Sequence, residues 1–260
     1  MKQFLIISIG SFLITFSFSL KAQCSAYDSL DAKKRKAFML FSIGSSDPTG
    51  RLGNQTVSDN NAGLALTGFN PRITGGYKFR ENYGFIGISE AQEFPINIQQ
   101  IADYTAEHNP GMNVKVESNK GWTMNNLMFG LYGNFPISDD KRFIIEPRAL
   151  LGFSMASSPE YKTSEYYLSN GYTKLTYANQ ESAFSYLAGV YCIGAGLRYN
   201  FCKRLMVSGN IDYVSTIGEH EFSGVHIEYN TGYWDKRNIN MRFSSFCITA
   251  GIGLRFGNNW

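Results

Sequence analysis

Apolar and polar positions alternate with a period of two through much of this chain. In 187–199, Leu187, Tyr191, Ile193, Ala195, Leu197 and Tyr199 share one parity, while Ala188, Cys192, Gly194, Gly196 and Arg198 share the other. From Phe143, the set Phe143, Ile145, Ala149, Leu151 and Phe153 opposes Glu146, Arg148, Gly152 and Ser154. From Leu205, the set Leu205, Val207, Ile211 and Tyr213 opposes Ser208, Asn210 and Asp212. Leu127, Phe129, Leu131 and Phe135 oppose Asn126, Gly130, Tyr132 and Asn134. The final segment sets Ile248, Ala250, Ile252, Leu254 and Phe256 against Thr249, Gly251, Gly253 and Arg255. A period of two predicts β-strands. Two segments are less regular. In YGFIGISEAQEF either Ile86 and Ile88 or Phe85 and Gly87 can take the apolar side. Met241 and Phe243 are out of phase with Phe246 onward, which predicts a bulge near Ser244 and Ser245.

The strands are punctuated in a repeating way. GGYKFREN, LYGNFPISDDK, GLRYNFCKR and GLRFGNNW each end a Gly-rich alternating run in an aromatic residue, followed by a short polar turn or the chain end. New alternating runs begin at Tyr83, Phe143 and Leu205. Long polar stretches without sustained apolar alternation lie at roughly 47–68, 95–120, 155–182 and 217–240. The pattern predicts eight strands, four long loops and three short turns, with both termini on the short-turn side.

The polarity of the two faces then decides what surrounds the strands. A soluble sandwich packs its apolar face inward and covers the other with Lys, Glu, Thr and Ser. Here the second face carries small residues and a few isolated charges, namely Glu146, Arg148, Arg198, Asp212 and Arg255. An apolar exterior around a small, polar interior is the inverted pattern of a membrane barrel. In lipid an unpaired strand edge costs several kcal/mol per group, so the sheet must close. The expected fold is all-β: a closed up-and-down antiparallel transmembrane β-barrel of eight strands, with long extracellular loops and short periplasmic turns. Tyr77, Phe79, Phe135, Tyr199, Phe201 and Phe256 recur at the same strand end and would form an aromatic girdle at one water–lipid boundary. The five inward charges are expected to pair as a structural network, since charges in a closed interior must pair.

The first residues add a compartment. Lys2, an apolar run from Phe4 to Leu20, and Lys21-Ala22-Gln23 read as a secretory signal cleaved after Ala22 or Gln23. The expected division is a signal peptide at 1–23, a short periplasmic leader at 24–36 and the barrel domain at 37–260. Without Lys2 and Lys21 the chain has 22 basic against 21 acidic residues, which gives no reason to expect nucleic acid. The leader contains DAKKRK, ending at Lys36, read as a solvated charge run. Cys24, Cys192, Cys202 and Cys247 match no metal or disulfide-framework spacing and are read as buried free thiols. Cys192 and Cys247 fall on strands with one strand between them, so they should not bond to each other.

On these residues the sequence resembles the small eight-stranded outer-membrane barrels of Gram-negative bacteria, the OmpA/OmpX type. The signal at 1–23, the four punctuated units and the last strand carry the resemblance, which spans nearly the whole mature chain. It implies an outer-membrane location, a lipid environment and a monomer. It also implies recognition of a terminal aromatic by the barrel-assembly machinery, a role that Trp260 matches, although Asn258 stands where an apolar residue is usual.

An eight-stranded barrel is filled by its own side chains or holds at most one small ligand, so conductance should be small or absent. Enzymatic barrels need a nucleophile or activated water beside a base. The three histidines, His108, His220 and His226, all lie in predicted loops. GEHEFSGVH places Glu219, His220, Glu221 and His226 close in sequence as a weak metal candidate, and no cofactor is expected. In EYYLSNGYTKLTYAN, Asn170-Gly171 between Tyr-rich flanks predicts a type I′ hairpin, and HIEYNTGYWDKR a weaker second one. Tyr166, Tyr167, Tyr172, Tyr177, Tyr229, Tyr233 and Trp234 on these hairpins have the composition of recognition surfaces. The leading expectation is a non-catalytic role in surface interaction, adhesion or envelope integrity, toward an extracellular ligand that the residues do not identify. The alternatives are a small-solute or lipid-binding barrel and a lipid-A-modifying enzyme.

Overall fold

In the computed structural model the described residues are 36–59, 61–169, 172–181, 185–228 and 233–257. The alternating segments form strands β1 (Ala37–Pro48), β2 (Gly68–Phe69), β3 (Arg72–Lys78), β4 (Tyr83–Phe94), β6 (Trp122–Gly133), β7 (Phe135–Pro136), β8 (Phe143–Ser157), β11 (Ser185–Asn200), β12 (Leu205–Thr216) and β15 (Ser244–Phe256). Eight of them make a continuous ring of antiparallel pairings, in the order β1, β3, β4, β6, β8, β11, β12, β15 and back to β1. Short β2 extends the β3 side of the ring by pairing with β1 and β4, with Asn70-Pro71 between β2 and β3.

The register fixes the tilt. Opposite partners run from Ala37 through Tyr77, Phe85, Leu131, Ala149, Ile193, Tyr213 and Phe246, and return to β1 at Asp47. One circuit therefore climbs ten residues along β1. With strands about 4.8 Å apart and about 3.3 Å per residue, that stagger tilts each strand by roughly 40°. Each residue then adds ~2.5 Å of height.

The faces sort as the alternation requires. Leu151 and Phe153 are about two-thirds exposed, at 65% and 66%, while Met128, Cys192 and Met206 are wholly buried. The segment of ambiguous parity resolves with Phe85 outward and Ile86 and Ile88 inward, where they join Phe38, Leu40, Met128 and Leu150 in the ring's apolar interior. Two large interior rings fit because glycines lie beneath them. A Cβ on Gly76 would stand 2.2 Å from the Phe38 ring, and one on Gly84 would stand 2.2 Å from the Tyr132 ring. Phe38 and Tyr132 then meet edge to face at 5.6 Å. Among the described residues no helix is long and apolar enough to cross a membrane; the crossing elements are the strands.

Short connections at 79–82, 137–142 and 201–204 join strands at one end. There Phe79 stacks near Phe85 at 4.7 Å, Tyr83 near Phe135 at 6.0 Å, and Tyr199 lies between Phe143 at 4.7 Å and Phe201 at 4.8 Å. Tyr77 and Phe256 are half-exposed on the same outer wall.

At the opposite end the long connections are more ordered than their polarity predicts. The stretch 95–120 contains helix α1 (Ile98–His108) and strand β5 (Met112–Lys120). Asn97 caps α1 by accepting from the Gln100 backbone N–H at 3.2 Å. Ile101 is the one buried apolar side chain of α1, so its periodicity is faint in sequence. Both Tyr-rich segments are hairpins: β9 (Glu160–Ser169) with β10 (Tyr172–Glu181), and β13 (His220–Glu228) with β14 (Tyr233–Met241). These strands form a second, five-stranded antiparallel sheet in the order β14, β13, β10, β9, β5. The phase slip near Ser244 is a strand break at 242–243, where the chain passes from this outer sheet into the ring. Met241 and Phe243 are buried above the ring, and Phe246 resumes the outward phase.

One cysteine departs from expectation. Cys192 and Cys247 are buried free thiols on β11 and β15, with β12 between them. Cys202, in the 201–204 turn, is instead disulfide-bonded, with its partner outside the described residues. Spacing does not reveal this, because the pairing of cysteines far apart in the chain is set by the fold.

Candidate functional site

The lumen is filled by ion-paired polar side chains packed among apolar ones. At mid-height Asp212 of β12 receives both Nε and Nη2 of Arg148 from β8, at 2.7 and 2.6 Å. It also pairs with Arg72 of β3. Arg72 Nε donates to Glu90 of β4 at 2.8 Å. Glu90 accepts in turn from Asn126 at 2.9 Å and Gln92 at 2.7 Å. Arg148 also donates to Asn210 at 3.1 Å. All of these side chains are buried. Two guanidiniums face two carboxylates, so the cluster is neutral, and Arg72 and Asp212 brace the ring across its bore.

Nearer the short turns, Arg198 of β11 pairs with Glu146 of β8 at 2.9 Å and donates to Asn134 at 2.5 Å. Its guanidinium lies 5.2 Å from the centre of the Phe38 ring. Arg255 is buried beside it, and with Lys36 and Lys78 these residues line a recess of about 10 Å³, room for roughly one water.

The sequence pattern pointed to Glu146, Arg148, Arg198, Asp212 and Arg255, and the ring places them in two groups at different heights. It did not point to Arg72 or Glu90. Glu90 sits in the strand whose parity was ambiguous, and Arg72 follows Pro71 at the start of its strand. Had Phe85 been set outward, Glu90 would have fallen inward by parity alone.

The outer mouth is filled by a separate apolar core. Phe94, Trp122, Met124, Ala156, Met241 and Phe243 rise from the ring and its junctions, and Leu52 and Ala65 enter from the 49–67 strap. Trp122 Nε1 donates to the Gly63 carbonyl at 2.6 Å, and its ring meets Phe243 at 5.3 Å with planes 75° apart. Val116 of β5 and Ile101 of α1 extend this core beneath the outer sheet. A cavity of about 390 Å³ is a groove on the outer wall lined by Phe41, Pro71, Ile73, Ala91 and Leu127 among others.

The remaining candidates divide by position. Glu219 is paired with Arg51 at 2.9 Å on the exposed surface. His220 and His226 lie six residues apart on β13, which separates their backbones by about 20 Å in an extended strand. Glu221 is exposed on the same strand. Tyr166 is half-buried on β9. The backbone places Tyr167, Tyr172 and Tyr177 on the β9–β10 hairpin and Tyr233 and Trp234 on the β14 edge. Tyr229 and Trp260 lie outside the described residues, as do residues 1–35, the expected signal and most of the expected leader.

A ring of eight tilted strands, greasy outside and charge-paired inside, with long connections at one end only, defines an outer-membrane β-barrel protein. The chain belongs to the outer membrane protein β-barrel domain family, whose profile matches residues 41–256. It is similar to the solved structure of Neisserial surface protein A, with 12% identity, TM-score 0.41, and 85% of this chain covering 97% of that one. Ail, the attachment invasion locus protein of Yersinia pestis, aligns with 15% identity, TM-score 0.39, and coverage of 85% and 99%. A major outer membrane protein of Thermus thermophilus aligns with 9% identity, TM-score 0.48, and the same coverage of 85% and 99%. Searching the curated proteins by sequence finds no match.

Proposed function

We propose that this outer-membrane barrel works without catalysis, presenting its outer sheet and hairpins as a binding surface at the cell exterior. The observation that carries this reading is the apolar core across the outer mouth, beneath an ordered five-stranded sheet. A passage would have to cross that core and the ion-paired layer below it. The buried carboxylates Glu90, Glu146 and Asp212 are all engaged in ion pairs, which argues against their use as a general base. On the same reading residues 1–23 are removed on export, Trp260 is read by the barrel-assembly machinery, and the barrel is a monomer.

Two measurements test the division between surface and passage. In planar bilayers the purified protein should give no large, stable single-channel steps; such steps would remove the reading. In a cell-binding assay, replacing Tyr166, Tyr167, Tyr172 and Tyr177 with Ser should reduce surface binding several-fold. Hairpin tyrosines supply contact area at low entropic cost, and the ring, with its heat-modifiable migration in electrophoresis, should be unaffected. Unchanged binding with an intact ring would count against the adhesive role.

The outer sheet should also respond to pH. Glu165 on β9 is buried opposite Val114 of β5, and this burial raises its carboxyl above the usual carboxylate range. The folded sheet therefore binds this proton more tightly than the unfolded chain does. Its stability is greatest below the ordinary glutamate pKa and falls as pH rises through the raised value. Amide hydrogen exchange in β5 and β9, corrected for intrinsic rates, should show higher protection at acid pH. Glu165→Gln should remove that dependence, and a slope that persists in the variant would refute the assignment.

A further inference from the structure

The outward face of β11, β12 and β15 carries a cation with no lumen or loop role. Arg242 sits in the two-residue break between β14 and β15, exposed, and turns down along the outer wall of the ring. Its Nε donates to the Ser215 hydroxyl at 3.1 Å, and its Nη2 donates to the Tyr191 phenol at 3.1 Å. Both partners are neutral. Among the described residues no carboxylate pairs with Arg242, in contrast to the buried Arg72, Arg148 and Arg198 and the exposed Arg51. A guanidinium has five N–H donors in a planar fork. Two are used here to hold the group in place, and three have no partner among the described residues.

The height of this group suits one class of ligand. Tyr191 lies eight residues above Tyr199 on the same strand, hence about 20 Å above the aromatic ring at the short-turn end. The apolar band of such a barrel is about 25 Å tall. Tyr191 is thus near the outer edge of the band, and Arg242 stands four residues beyond Phe246 at the boundary itself. Below it the outer wall is an aromatic slab, with Tyr191 and Tyr213 at 6.2 Å and Tyr213 and Phe246 at 5.0 Å. An uncompensated, oriented guanidinium above a greasy wall combines an anion seat with a surface for hydrocarbon.

We propose that Arg242, oriented by Tyr191 and Ser215, binds the phosphate group of an anionic lipid in the outer leaflet, whose acyl chain lies against Tyr213 and Phe246. A planar fork matches phosphate oxygens two at a time. Tyr191 and Ser215 are positioning residues. The lipid is favoured over free phosphate because the site opens along the membrane wall and not toward the lumen.

The test uses the full-length protein in detergent micelles, with lipid retention read by native mass spectrometry against phosphatidylglycerol and phosphatidylcholine. Wild type should retain phosphatidylglycerol preferentially. Arg242→Gln should lower that preference about tenfold, the scale of one charge-assisted contact. Arg242→Lys should recover part of it, and Tyr191→Phe should lower it several-fold by releasing the fork. Arg51→Gln, which alters an exposed loop cation, should leave it unchanged. Heat-modifiable migration checks that each variant is folded; if Arg242→Gln does not fold, Tyr191→Phe carries the test. Equal retention of both lipids by wild type, an unaltered preference in folded Arg242→Gln, or full displacement of the lipid by millimolar inorganic phosphate would each overturn the proposal.

Discussion

Asp212→Asn is expected to destabilise the folded barrel by about 3–5 kcal/mol, more than any other single substitution in the lumen. Asp212 accepts from two guanidiniums, those of Arg72 and Arg148. Its neutral replacement leaves two cations facing one remaining carboxylate, Glu90, in a buried cluster packed among apolar side chains. The penalty is the desolvation of an uncompensated buried charge, and it exceeds whatever the intact pair contributes on its own. Urea titration of the protein in micelles, followed by heat-modifiable migration, measures it as a lower midpoint at an unchanged slope. The double variant Asp212→Asn with Arg72→Met should recover part of the loss, because it removes one orphaned charge. If the single variant unfolds at the wild-type midpoint, the layer is not the closed ion-pair network described.

Trp122→Ala is the second large effect, about 3–5 kcal/mol, and it should fall on a different part of the molecule. The ring of Trp122 fills the centre of the outer core against Phe243, and its indole N–H satisfies the Gly63 carbonyl of the 49–67 strap. Removing it leaves a cavity and an unpaired carbonyl together. Because the ring below is held by its own hydrogen-bond ladder, the loss should be local. The strap should become sensitive to protease while the barrel stays heat-modifiable. A variant with an unchanged cleavage pattern would show that the strap is held by other contacts.

These two sites differ in how far the chain itself announces them. Alternation with period two marks each ring strand and tells which side of it is greasy, and this is a local property of residues two apart. That is why Leu151 and Phe153 separate from Arg148 and Glu146 in the sequence alone, and why Asp212 and Arg148 fall to the interior. It is also why the scheme weakened at YGFIGISEAQEF, where small residues make both faces look alike, and Glu90 was lost with it. The hairpin at Asn170-Gly171 was legible because its turn chemistry is contained in two residues. Helix α1 was not, since a single buried Ile101 gives too weak a periodicity beside ten mostly polar neighbours.

What the linear chain determined by itself is the inverted polarity of the strands, their number and the end at which the long connections gather. Each follows from side-chain alternation or turn residues within a few positions. Which inward charge meets which was decided only by the tertiary structure. So were the packing of a neutral ion-pair cluster among apolar side chains, the outer core joining Leu52 to Phe243, and the setting of Arg242 on Tyr191. Most of those contacts span more than fifty residues and depend on the ten-residue stagger of the ring, a quantity set by strand pairing and closure that no short window of residues encodes.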